Sequence, residues 1–249
     1  MNETYERQFS TIDGYEIAVR STVFASHNKT IVLIHGIGTS SDYFLPLMKE
    51  FSDSYNVLAL DLPGYGTTAK PPQPLTIDEL AKVTLSFLSV RHLTDVVLAG
   101  HSMGGQIVAR MNKINSDSIS KVILLSPTVN HKERKVVLQA LRLFQDSFLE
   151  PPKANFIIFL NYARMGPLRF LKTSQYMVNS HLEDSLKNTS TPYSIIRGEK
   201  DHIVPRTWLA YLKTLSPNIS TNEVPKAPHA FHYLNAKEVK DLCKVFIEK

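Results

Sequence analysis

With 249 residues, 43% of them hydrophobic, the chain is long enough to bury a sizeable core and sits in the size range of one α/β domain with an insertion. No run approaches the roughly 18 consecutive apolar residues of a membrane helix, and "MNETYERQFS" lacks the apolar core of a signal peptide, so the reading is a cytoplasmic protein with no integral membrane segment. The formal charge of +5 comes without a basic run or an aromatic-studded basic strand, which argues against nucleic acid as a partner.

In chain order, "ERQFSTIDGYEIAVRSTVF" reads as two strands around the Asp13-Gly14 turn, since Asp-Gly between alternating runs is a strong hairpin signal. Then "TIVLIHG", "YNVLALD", "DVVLAGHS" and "KVILLSP" appear, short β-branched runs apolar on both faces, as buried parallel strands should be. Helical patterns separate them: Ser40 to Phe51, Ile77 to Val90 and Met103 to Asn115. The second opens with Thr76 at the N-cap and Glu79 three residues on, a capping-box pattern. Such alternation predicts a doubly wound parallel sheet.

The alternation stops at Pro127. Residues 128–187 show helical pieces only, and "RKVVLQALRLFQDSFLE" places Val137, Leu141, Phe144 and Phe148 on one helix face before Pro151-Pro152 breaks the pattern. Further helical pieces follow, split by Gly166-Pro167. Most aromatics here, among them Phe144, Phe148, Phe156, Phe159, Tyr162, Phe170 and Tyr176, are expected to pack the insertion against the core. The same segment holds nine Lys or Arg, including Arg134, Arg142, Arg164 and Arg169, against five Asp or Glu, an excess suited to attract a carboxylate or to make peripheral contact with an anionic lipid surface. Strand character returns at "PYSIIRG" and "ISTNEVP", with helices at Arg206 to Leu215 and Ala236 to Glu248. Cys243, the single cysteine, takes an inward position on the last of these and can form no intramolecular disulfide. The sequons at Asn28, Asn188 and Asn218 read as chance in a chain without a secretion signal.

One residue calls for more than a structural reading. Ser102 stands directly after a predicted central strand and directly before a helix, within Gly100-His101-Ser102-Met103-Gly104. A sharp strand-to-helix turn strains its central residue and requires glycine on both flanks, and the following helix aims its free N–H groups at the serine. A serine hydroxyl needs a base to take its proton, and the base needs a partner to fix its tautomer. His229, between the last strand and the last helix, and Asp201, after the preceding strand, are both expected at the edge where Ser102 emerges. Their chain order, Ser then acid then His, is the order of the α/β-hydrolase arrangement.

At these residues the chain resembles the α/β-hydrolase superfamily over nearly its whole length apart from the insertion. "LIHGIG" resembles the oxyanion loop, "LDLPGYG" the loop after the next strand, "GHSMGG" the nucleophile elbow, "GEKDHIVP" the acid loop and "APHAFHY" the histidine loop. The resemblance implies an α/β fold with a mostly parallel eight-stranded sheet flanked by helices, residues 1–127 and 188–249 forming the core and 128–187 a helical cap. It further implies that Ile37 and Met103 donate the two backbone N–H groups of an oxyanion hole. The His-x-x-x-Tyr form of the last loop is similar to that of ester and carbon-carbon bond hydrolases with helical caps, and a serine rather than an aspartate at position 102 argues against the dehalogenase and epoxide hydrolase branches.

The reading that follows is a cofactor-free carboxylesterase for a small or medium hydrophobic ester, with Ser102 as nucleophile, His229 as base and Asp201 orienting the imidazole. Rival readings are a carbon-carbon bond hydrolase, thioesterase or lyase with the same three residues, or a slow small-molecule sensor that signals to a protein partner. His229 is preferred to His232 as base, with Glu199 the fallback for the acid; Ser126, at the alternative acid position, is not a carboxylate. His35, His101, His202 and Asp61 are expected to be structural. No clustered cysteine, His-x-x-x-His pair or glycine-rich phosphate loop supplies a metal or cofactor site.

Overall fold

The structure, a computed structural model, describes residues 5, 7–23, 26–149 and 160–249. Strands β1 (Arg7–Ile12) and β2 (Tyr15–Thr22) form the expected hairpin, and Asp13 and Gly14 at its tip take φ of 48° and 83°, the left-handed pair a two-residue turn requires. Strands β3 (Thr30–Ile34), β4 (Asn56–Asp61), β5 (Val96–His101), β6 (Ile119–Leu125), β7 (Tyr193–Gly198) and β8 (Ile219–Val224) complete one eight-stranded sheet. Its order is β1-β2-β4-β3-β5-β6-β7-β8, antiparallel at the first two pairings and parallel from β4 onward.

The sheet is covered on both faces, which is why its central strands are apolar throughout rather than alternating. Ile31 and Leu33 of β3 face one core together with helices α1 (Leu45–Ser52) and α9 (Ala236–Ile247). Val32 and Ile34 face the other, with α2 (Ile77–Val90) and α3 (Met103–Ile114). Cys243 is buried in the first of these layers, as its pattern predicts. Thr76 caps α2 as expected: its hydroxyl accepts the Glu79 N–H at 3.2 Å, and the Glu79 carboxylate accepts the Thr76 N–H at 2.7 Å. The predicted helix from Ser40 is split into a 3-10 turn, Ser41–Phe44, and α1. Pro46 has no N–H to give to the preceding turn, so the helix restarts with proline in its first turn.

Between β6 and β7 the described residues form helices and no strand: α4 (Val136–Ser147), a helical stretch at 160–165, α5 (Pro167–Asn179) and α6 (Leu182–Leu186). Beyond β7, α7 (Arg206–Lys213) and α8 (Phe231–Leu234) complete the helices. Phe156 and Phe159, and the Pro151-Pro152 break, lie outside the described residues. Val137, Leu141, Phe144 and Phe148 do share one face of the α4 segment, but it is the outward face, where they are 79%, 50%, 62% and 74% exposed. The expected inward packing of Phe144 and Phe148 is therefore corrected. Helix α4 carries a second stripe, Val136, Gln139 and Leu143, which turns toward the sheet, and only one of two opposed stripes can face in. Phe170, by contrast, packs against the core. Two of the segment's arginines serve its own cohesion. Arg134 holds both Glu183 oxygens at 2.7 Å and donates to the Val178 and Ser180 carbonyls, and Arg142 pairs with Glu133 at 2.6 Å.

Candidate active site

Strand β5 ends at His101 and α3 begins at Met103, so Ser102 alone makes the turn, with φ 55° and ψ −117°. Positive φ in a residue with a side chain costs about 1–3 kcal/mol and persists only where the surroundings enforce it. They do so here by close approach. A Cβ on Gly100 would lie 2.2 Å from the Gly104 carbonyl oxygen, and one on Gly104 would lie 2.1 Å from that of Ile34. Both flanking glycines are thus required by backbone contact, as the sequence argument anticipated. Met103 is the first residue of α3, so its N–H is among those of a helix's first turn that have no intrahelical acceptor.

Asp201 follows β7 and His229 follows β8, at the same C-terminal edge of the parallel strands as Ser102. His229 Nδ1 donates to Asp201 Oδ2 at 2.8 Å. The same carboxylate accepts the Ser126 hydroxyl through Oδ2, and through Oδ1 the N–H groups of Ile203 at 2.8 Å and Val204 at 2.9 Å. Burial alone would push the Asp201 carboxyl up, but His229, Ser126 and Val204 together hold it below its ordinary value, so it stays ionised. Glu199, the fallback acid, instead accepts the Lys226 N–H at 2.8 Å and pairs with Arg206.

Ser102, His229 and Ile37 line one cavity of about 80 Å3, whose wall is otherwise mostly apolar: Val129, Val136, Leu143, Phe170, Met177 and Ile203 among others. Tyr162 lines it too, and its ring carbons stand 2.1 Å from where a Cβ on Gly38 would be, so the inserted segment rests directly on the "LIHGIG" loop.

The remaining histidines divide clearly. His35 donates from Nδ1 to the Gly36 carbonyl at 2.8 Å and accepts the Leu62 N–H at Nε2 at 3.2 Å, joining two loops beneath the site. His101 donates from Nε2 to the His229 carbonyl at 3.2 Å. Burial, followed by the charges of His232 and His229, holds its pKa well below the usual value. His232 is fully buried against the rings of Tyr43, Phe44 and His101, at 4.9, 5.1 and 4.0 Å between centroids, and burial lowers its pKa to about 3. It does not border the cavity among the described residues. Asp61 ties its own loop, accepting the Ser41 N–H at 2.7 Å and the Thr67 N–H at 2.9 Å.

Two participants escaped the sequence reading. Ser126 is no carboxylate, yet its hydroxyl is a hydrogen-bond donor to Asp201. Asp146 of α4 is 1% exposed and accepts the backbone N–H of His229 at 3.1 Å; it also accepts the backbone N–H of His202, and the His202 imidazole Nδ1 stands 4.0 Å away. Burial pushes its carboxyl up, and the neighbouring Asp201 charge adds to this against the opposing pull of His229. Nothing in the sequence marks Asp146 as buried, since the inward direction of its stripe is known only from the structure. Asp146 is the only acid of α4 and stands three residues beyond Leu143, on the inward stripe rather than the apolar outward one.

Residues 31–242 match the model of a family described as "Alpha/beta hydrolase family". The chain belongs to that family. Among curated relatives, the "Putative esterase/lipase 2" of Mycoplasma pneumoniae is 24% identical over 90% of this chain and 92% of its own length. The "(E)-2-((N-methylformamido)methylene)succinate hydrolase" of Acinetobacter baylyi is 27% identical over 48% of this chain and 46% of its own length. The matches to several curated relatives span only about a third to a half of those proteins' lengths. Among solved structures, a thermophilic esterase from Thermogutta terrifontis superposes with a TM-score of 0.81 at 18% identity, covering 98% of both chains. That likeness shows the shared hydrolase fold.

Proposed function

We propose that the protein is a serine hydrolase acting on carboxylic esters with a small or medium apolar acyl group, and that residues 128–187 form a helical cap over its site. The observation that carries the reading is the His229 Nδ1 to Asp201 contact of 2.8 Å at the cavity that Ser102 also lines. With the proton of the neutral imidazole on Nδ1, Nε2 is the basic nitrogen. Nε2 takes the Ser102 proton as Oγ attacks the ester carbonyl carbon, and Asp201, held ionised, stabilises the imidazolium that forms. The N–H groups of Ile37 and Met103 receive the oxyanion. Collapse expels the alkoxide, which leaves as the alcohol with the proton from Nε2, and water attacks the acyl-enzyme by the same route.

His101 and His232, both held neutral by burial, leave His229 as the imidazole suited to carry the proton. The apolar wall excludes water and strengthens the oxyanion contacts. At about 10–15 Å3 of such space per water position, the cavity has room for roughly five to eight water-sized groups, which favours acyl chains of about that many non-hydrogen atoms. The test is a series of p-nitrophenyl esters of increasing acyl length with the native chain and Ser102→Ala. We expect kcat/KM to peak at butyrate to heptanoate, about five to eight non-hydrogen atoms in the acyl group, and to vanish in Ser102→Ala. Turnover retained by Ser102→Ala would overturn the reading.

A further inference from the structure

The outer stripe of the α4 segment, Val137, Leu141, Phe144 and Phe148, runs about 16 Å along the surface at 1.5 Å per residue. Helix α5 packs against α4 and exposes Leu168 at 83% and Leu171 at 47%. Single exposed apolar residues are ordinary; a row of them on two adjoining helices is not.

The charge around this row has one sign. Lys132 and Lys135 lead into α4, and Arg164 and Lys172 stand four residues either side of Leu168 in the chain; none of these four pairs with a carboxylate among the described residues, Lys172 donating instead to Gln73 Oε1 at 2.8 Å, whereas Arg169 is turned onto the core, donating to the Pro71 carbonyl at 2.5 Å. The segment's described acids are engaged elsewhere: Asp146 is turned inward onto the His229 loop, Glu133 holds Arg142, Glu183 holds Arg134 and Asp184 holds Lys187.

We propose that this cap face docks on an anionic phospholipid surface. Val137, Leu141, Phe144, Phe148 and Leu168 enter the headgroup boundary, and Lys132, Lys135, Arg164 and Lys172 meet the phosphates. A second copy of the chain fits the face poorly, because a two-fold contact would set the same four cations against themselves. No helix among the described residues is long and apolar enough to cross a membrane, so the contact is a surface one. Because the opposite stripe of α4 lines the cavity, docking would bring the site next to the lipid. The inference goes beyond the ester reading and stands without it.

The test is co-sedimentation of the full-length Ser102→Ala chain with vesicles of phosphatidylcholine alone or with about 30 mol % phosphatidylglycerol. Using this variant separates docking from turnover. The expected result is partitioning at least tenfold stronger onto the anionic vesicles, weakened by about 0.5 M salt. Adding Phe144→Ser and Phe148→Ser should lower it at least tenfold, with an unchanged thermal midpoint showing that the fold persists. Equal binding to both vesicle types, equal binding with and without the two serines, or no binding would overturn the proposal. So would a concentration-dependent dimer in sedimentation velocity that the two serines abolish.

Discussion

Removing the Asp146 carboxylate tests whether α4 holds the two loops that carry Asp201 and His229. In Asp146→Ala the backbone N–H groups of His229 and His202 lose a buried acceptor. Each orphaned donor costs about 1–3 kcal/mol, and release of a carboxyl that burial disfavours returns part of that, leaving a net loss of about 2 kcal/mol. For a chain of this size the melting midpoint should fall by about 4–8 °C. Because the His229 loop then loses its tie to α4, kcat/KM for a short ester should fall by about tenfold or more. The assays are thermal unfolding and p-nitrophenyl butyrate turnover on the same preparation. A midpoint within about 1 °C of native together with kcat/KM within about twofold would refute the tether. A pH series adds a sign. The folded carboxyl pKa is raised, so its contribution to stability is fully present below the unfolded value and is lost as pH rises through the folded one. Asp146→Asn should therefore gain stability relative to the native chain as the pH rises across that window, and a gap that widens in the opposite direction would contradict the assignment.

His229→Ala should lower kcat by about a thousandfold or more, and the Ser102→Ala, His229→Ala double variant should be little worse than either single one; near-native turnover in His229→Ala would move the base elsewhere. Gly104→Ala forces a Cβ to within 2.1 Å of the Ile34 carbonyl oxygen, so a loss of about 3 kcal/mol or more is expected, read as a lower midpoint in denaturant. Ester turnover should be indifferent to EDTA, since the proposed chemistry uses only side chains and backbone N–H groups; activity lost with chelator and restored by a metal would count against it.

The parallel strands were legible because a strand buried on both faces is apolar throughout, and the turn at Ser102 because two glycines fix its geometry whatever surrounds it. Asp201 and His229 could be placed because loops at one edge of a parallel sheet converge. Periodicity was weaker in α4, where two stripes compete and the more hydrophobic one, with Phe144 and Phe148, faces outward. Asp146 was hidden by the same rule: a lone acid opposite an apolar stripe reads as solvated surface, and only the position of the His229 loop reveals it as buried. Ser126 contributes a single hydroxyl proton, which leaves no pattern in a sequence.

The proposed chemistry rests on Ser102 as the nucleophile and on His229 as the base that activates it. Treatment with an alkyl fluorophosphonate, followed by peptide mass spectrometry and residual esterase activity, tests it most directly. One phosphonyl group per chain is expected, on Ser102, with activity lost in proportion to labelling and with labelling slowed by at least about a hundredfold in His229→Ala. Full labelling of Ser102 with activity intact, or an adduct formed on another residue as activity disappears, would contradict it.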